Sequence, residues 1–280
     1  MKEFILESVS KLDLAVWLLV ILFFCGSAML FGGDMQMAFI GSGGIIFEML
    51  LIGISIEIII ETLKTTRGIG TLTGFITNGP EAVCLIVGLA VGDIIFASST
   101  PLGSNFMNPI LLLCAALATH QLAVLFRTHR LYTIATFSVT ATLAVIFYAL
   151  QPQQYIYWVI TAAAVSVALF YLRPGEPLPD TSSSVVTTSK FWLIPSALVL
   201  TIAGYFLDPV VSFAAEHSHA PKGVIGFVVL ATLTSWPEFK SSLSLLKRGR
   251  HVAAILNITV SNITNIWLAV AGIVFYLVSV

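Results

Sequence analysis

Long apolar runs, interrupted by short polar or Gly/Pro-rich segments, dominate the chain from residue 13 onward. A helix that crosses the hydrocarbon layer needs about 20 apolar residues. Nine runs reach or approach that length: 13–31, 35–63, 68–96, 99–120, 131–150, 154–172, 191–216, 221–246 and 251–278. The third and fourth are separated by no charge, only by Ser98-Ser99-Thr100-Pro101. The linker 173–190 is rich in Pro, Ser and Thr and too short for a domain. The pattern predicts an all-α polytopic transmembrane helix bundle of about nine spans.

Composition agrees. Hydrophobic residues make up 58% of the 280 and charged ones 10%, against about 25% charged in soluble domains. Lipid is therefore the expected solvent, and the bilayer the expected partner. The run Leu14–Phe31 is long for a signal core and reads as a retained helix. With the N-terminus cytoplasmic, the inner segments hold eleven of the 13 Lys and Arg residues, from Lys2 and Lys11 to Lys247, Arg248 and Arg250. The outer segments hold only Lys222, and Lys240 lies within a span. That bias sets the orientation and leaves the C-terminus outside, in a plasma or inner membrane. Cys25, Cys84 and Cys114 all sit in apolar stretches and read as small core residues. His217 and His219 beside Glu216 read as solvent-facing. No nucleotide loop, nucleophile triad or haem motif is present. The chain is thus expected not to be an enzyme, to hold no cofactor and to bind no nucleic acid.

The chain also repeats itself. Residues 77–108 align with 234–265 at a constant offset of 157, without a gap. The offset superimposes Thr77 on Thr234, Pro80-Glu81 on Pro237-Glu238, Gly92 on Gly249, Ser104-Asn105 on Ser261-Asn262 and Asn108 on Asn265. The matched residues are polar or helix-breaking, whereas chance matches in so apolar a chain would be Leu on Val. The two Pro-Glu pairs fall in the third and eighth spans, so the copies cross the membrane in opposite senses, an inverted-topology arrangement. The expected division is a first repeat at 1–120 (77–108 at its centre), a connecting helix within 121–153 and a second repeat at 154–280 (234–265 at its centre).

A proline inside a span breaks or kinks its helix, and freed carbonyls are tolerated there only beside protein or water. Each break is followed at once by a glutamate, at a half-helix N-terminus where the dipole favours the anion. Acids at membrane depth are by default functional, and two of them need a cation between them. Two carboxylates with loose carbonyls and the hydroxyls of Thr77, Thr234 and Ser235 form an oxygen-rich cage suited to hard cations of the calcium class. Asn108 and Asn265 can add amide oxygens. Ser104 and Ser261 read equally as ligands or as small residues that let helices approach.

The pattern resembles the α-repeats of the calcium/cation antiporter superfamily, which includes sodium/calcium and proton/calcium exchangers. Members of that superfamily share a Thr-Ser-x-Pro-Glu segment followed by Gly-Ser-Asn-x-x-Asn/Asp on the next helix. Here the copies read Thr77-Asn78-Gly79-Pro80-Glu81 with Gly103-Ser104-Asn105-Phe106-Met107-Asn108, and Thr234-Ser235-Trp236-Pro237-Glu238 with Val260-Ser261-Asn262-Ile263-Thr264-Asn265. The resemblance implies that Glu81 and Glu238 are the central calcium ligands. Thr77, Thr234, Ser235, Asn78, Ser104, Ser261, Asn108 and Asn265 would complete the central and flanking ion positions. It implies antiport of calcium, or a related divalent cation, against sodium or protons by alternating access. Sodium accepts the same oxygens, and two like-charged acids at low dielectric can share a proton.

The chain departs from that pattern at several places. Asn78 stands where the family usually has Ser, Thr100 replaces a common Asn that Asn257 keeps, and Val260 replaces Gly. The family frame has ten spans. Lys240 lies two residues past Glu238, about 200° around a helix. It is expected to point away from the ion towards another intramembrane acid such as Glu48, Glu57 or Asp208. If it faced Glu238 instead, calcium affinity would fall, and an exchanger of a monovalent or other metal cation is the alternative. The remaining alternative is a non-transporting scaffold or sensor on the same frame.

Overall fold

A computed structural model describes residues 9–90, 92, 94–177, 189–221 and 231–279. All regular structure among them is helical: α1 (Lys11–Phe31), α2 (Met35–Leu63), α3 (Ile69–Ile76), α4 (Gly79–Ala90), α5 (Ile94–Ala118), α6 (Leu122–Arg127), α7 (Arg130–Ala149), α8 (Tyr155–Tyr171), α9 (Leu193–Ser218), α10 (Ala231–Thr234), α11 (Trp236–Lys247) and α12 (His251–Ser279). Single 3-10 turns, Pro152–Gln154 and Lys190–Trp192, precede α8 and α9. Eight helical segments among the described residues are long and apolar enough to cross a membrane. The chain is an integral membrane protein of the all-α polytopic class. The expected span 221–246 is not among the eight. Its residues 222–230, including Lys222, lie outside the described residues, as does most of the linker 173–190.

The boundary between the third and fourth spans differs from the expected one. The chain turns at Gly92, not at Ser98–Pro101, and those four residues lie inside α5. Gly92 has φ +78°, and its repeat counterpart Gly249, at +69°, makes the corresponding turn between α11 and α12. Glycine alone enters that left-handed region without a Cβ penalty. The Ser-Ser-Thr-Pro sequence resembles a turn but falls where the ladder is already established.

Small residues decide how the central helices meet. A Cβ on Gly70 would come within 2.2 Å of the Ala253 carbonyl, and one on Gly74 within 2.7 Å of the Asn257 carbonyl. Helix α3 therefore lies backbone against backbone on α12, running in the same direction, which is how helices associate where lipid offers no hydrophobic gain. Helix α4 runs along α9 in the same direction, with Gly79 against the Thr201 side chain and the Pro80 ring against Gly204. Helices α2 and α9 are antiparallel, with Gly33 against His217–Ser218, Gly41 against Ala214 and Gly44 against Val210. Helix α11 turns back into α12 at Gly249, so it runs opposite to α3 and α4.

Ion pairs close one end of the bundle. Arg248 reaches Glu57 at 3.1 Å and Glu61 at 3.5 Å, while Arg250 donates to the Lys64 carbonyl. The α11–α12 turn is thereby tied to the end of α2. Glu176 accepts from the backbone N–H groups of Gly70 (2.9 Å) and Thr71 (3.2 Å), capping α3 from 105 residues away. Burial pushes the Glu176 carboxyl above its ordinary range, and those two N–H groups, Arg250 and Arg173 oppose the shift.

Candidate functional site

Both breaks lie at the sequence-marked prolines. Pro80 and Pro237 lack the N–H that would reach the carbonyls of Ile76 and Leu233, and α3 gives way to α4, and α10 to α11, at those points. Glu81 and Glu238 then occupy the first turns of α4 and α11. In those first turns the backbone N–H groups lack the carbonyl partner that the helix interior would supply. Both glutamates are shut off from the surface, at 1% and 0% exposure, and lie within electrostatic reach of each other.

The copies supply matching partners. Ser104 Oγ donates to Glu81 Oε1 at 3.3 Å, and Ser261 Oγ lies 3.2 Å from Glu238 Oε1. Ser261 Oγ is also 3.4 Å from Asn78 Oδ1 and accepts from Asn108 Nδ2 at 3.1 Å. Having one proton, that hydroxyl donates to only one of its two acceptors at a time. Asn78 Nδ2 turns back to the Gly74 carbonyl at 2.6 Å. The Thr77 hydroxyl lies beside the Glu238 carboxylate without completing a hydrogen bond. Thr234 is partly buried and Ser235 fully, both at the second break.

Asn105 and Asn262 were matched by the repeat but given no role from sequence. They bind the two copies to each other. Asn108 Nδ2 donates to Asn262 Oδ1 at 3.0 Å, and Asn265 Nδ2 donates to Asn105 Oδ1 at 3.3 Å. Asn262 Nδ2 goes on to the Asn105 carbonyl and to Thr140 Oγ1, both at 3.2 Å. These bonds use the amide nitrogens of Asn108, Asn262 and Asn265 and leave the Asn105 nitrogen and several oxygens over. Glu81 Oε2, Glu238 Oε2, Asn108 Oδ1, Asn265 Oδ1, Thr77 Oγ1 and Ser235 Oγ are all buried with no hydrogen-bond partner. Buried polar atoms are rarely left so. Two of these six oxygens are carboxylate, on glutamates within electrostatic reach of each other.

Lys240 does point away from this cluster, but to an acid not among those expected. Its Nζ lies 2.9 and 3.0 Å from the two carboxylate oxygens of Asp13, both side chains being buried. Asp13 Oδ2 also takes the N–H and hydroxyl of Ser10, each at 2.7 Å, as part of the α1 capping box. Glu57 is engaged by Arg248 instead, and Asp208 is bonded by Ser212 on its own helix. Asp13 is the first residue of the span 13–31 and was given no role from sequence.

Residues 189–279 match the family model of the sodium/calcium exchanger protein. The matched stretch includes all of α9 to α12 and the second Pro-Glu copy, and is consistent with the calcium/cation antiporter superfamily. At family level it supports a cation transporter of the sodium/calcium exchanger type, a class of transporters and not of enzymes. No curated protein and no solved structure gives a match.

Proposed function

We propose that this protein is a secondary antiporter that moves calcium, or a related divalent cation, against sodium or protons, with Glu81 and Glu238 holding one cation between the two opposed half-helices. The observation that carries the reading is the pair of enclosed carboxylates, each with one oxygen on a serine of its own copy and the other unpaired. Two carboxylates buried together in a low dielectric need a positive charge between them or a proton on one. Oxygen ligands of mixed carboxylate, amide and hydroxyl type suit calcium. Thr77, Thr234, Asn78, Ser235, Ser104, Ser261, Asn108 and Asn265 complete the proposed shell. The opposed directions of α4 and α11 supply two half-sites that can open to opposite sides in turn.

Lys240 gave the monovalent-cation alternative its motive, and its pairing with Asp13 removes that motive. Labelled calcium uptake into liposomes carrying the purified chain tests the proposal. Uptake should follow an outward-directed sodium or proton gradient and disappear in Glu81→Gln and Glu238→Gln. No calcium movement under either gradient would overturn it, and a gradient effect confined to one ion would name the counter-ion.

A further inference from the structure

Past the contact of Pro80 with Gly204, helices α4 and α9 part around a cavity of about 200 Å³ lined by Cys84, Val87, Tyr205, Asp208, Pro209 and Ser212. Cys84 and Val87 follow Glu81 by about one and two turns. On the parallel helix, Asp208 and Ser212 follow Gly204 by the same steps. The cavity therefore begins about one turn past Glu81 and runs towards the C-terminal ends of both helices. Asp208 lies in the interior of α9, and Ser212 Oγ donates to its Oδ1 at 3.4 Å. The lining contains no basic residue. Cys84 stands between the acids, within electrostatic reach of both Glu81 and Asp208. A carboxylate in a span is costly against lipid and marks an ion or water path. The glutamate pair and its shell do not use this one.

We propose that the cavity is a second cation site, in which Asp208 with the Ser212 and Tyr205 hydroxyls holds the incoming, partly hydrated cation before it passes Cys84 to Glu81. One carboxylate and two hydroxyls leave most of the coordination to water, so the site captures and releases without competing with the glutamate pair. This inference rests on the transport reading. On the orientation expected from the basic residues, the helix ends towards which the cavity runs lie on the outer side.

Two measurements test it. In calcium uptake, Asp208→Asn should raise the half-saturating external calcium roughly fivefold and leave the limiting rate within about twofold, the signature of lost capture and not of lost chemistry. Asp208→Glu should restore the wild-type value. An unchanged half-saturation, or a fall in limiting rate alone, overturns the proposal. The second measurement needs no turnover. With Cys25, Cys84 and Cys114 replaced by Ala, Val87→Cys should react about tenfold faster with a cationic methanethiosulfonate than with an anionic one, since a half-buried carboxylate without a basic neighbour in the cavity lining concentrates cations. Calcium should slow that reaction, and Asp208→Asn should abolish both the preference and the protection. A Cys at 87 unreactive from either side, or a preference indifferent to Asp208, overturns the site. A chain that moves no calcium yet shows Asp208-dependent protection by calcium overturns the transport reading and retains the site.

Discussion

The two copies of the repeat share their inner chemistry and differ in their surroundings. Towards the centre they match almost atom for atom: a glutamate after a proline, a serine on its Oε1, and an asparagine crossing to the other copy. Away from the centre they part. Helix α11 is buried along its whole length from Trp236 to Leu246. Asn257 Nδ2 binds Ser241 and Ser242 at 2.7 and 3.1 Å, and Lys240 is locked to Asp13. The first copy has Cys84, Leu85, Thr100 and Val83 at those positions. Of α4, only Pro80, Glu81, Leu85 and Gly88 are buried. One half-helix is encased in protein, with apolar side chains in the core and polar ones paired, and the other borders a cavity. Symmetry thus belongs to the two glutamates and their polar partners, and asymmetry to what surrounds them: the second copy is packed along its half-helix, and the first leaves room beside its own.

The largest break in that comparison comes from the glutamates. Glu81→Gln and Glu238→Gln should each lower calcium uptake at least about a hundredfold, roughly 2.7 kcal/mol or more of lost binding or transition-state stabilisation, measured as initial rates in liposomes. Next comes the buried ion pair that anchors α11. Asp13→Ala leaves a buried ammonium uncompensated and should cost about 3–5 kcal/mol, whereas Asp13→Leu with Lys240→Met should recover most of it, read from denaturation midpoints in detergent. A double variant as unstable as the single would mean that the pair does more than neutralise itself. Third, Gly70→Ala drives a methyl into the Ala253 carbonyl and should cost about 1–3 kcal/mol by the same assay. The smallest effect concerns Glu176. Its carboxyl titrates above the ordinary range, so the folded state takes up a proton there as pH falls. Its contribution to stability is full below the ordinary carboxylate value and is lost as pH rises through the raised one. Glu176→Gln should flatten that part of the stability–pH curve, and an unaltered curve would show that burial does not act on this group.

The sequence made the breaks legible because proline and an adjacent acid are both anomalous at membrane depth. The Gly92–Gly249 match marked both turns, yet the first was placed some residues late, because Ser98–Pro101 looks more like a turn than one glycine does. The contacts that join distant segments were not legible. Asp13 and Lys240 are 227 residues apart; Lys240 had nearer candidates, and Asp13 was given no role. Asn105 and Asn262 carried a repeat signal, but only their crossed geometry reveals that they orient Asn265 and Asn108 and so leave those amide oxygens unpaired. Periodicity finds elements, and anomalies find the centre. Pairings across the bundle need coordinates.

Calorimetric titration of calcium into the detergent-purified chain, beside Glu81→Gln, Glu238→Gln and the double variant, addresses the shared site most directly. If both carboxylates grip one ion, the wild type binds a tight calcium that either single change removes, and the double change weakens binding no further. Two independent sites, each lost with its own glutamate and kept in the other variant, would contradict the account.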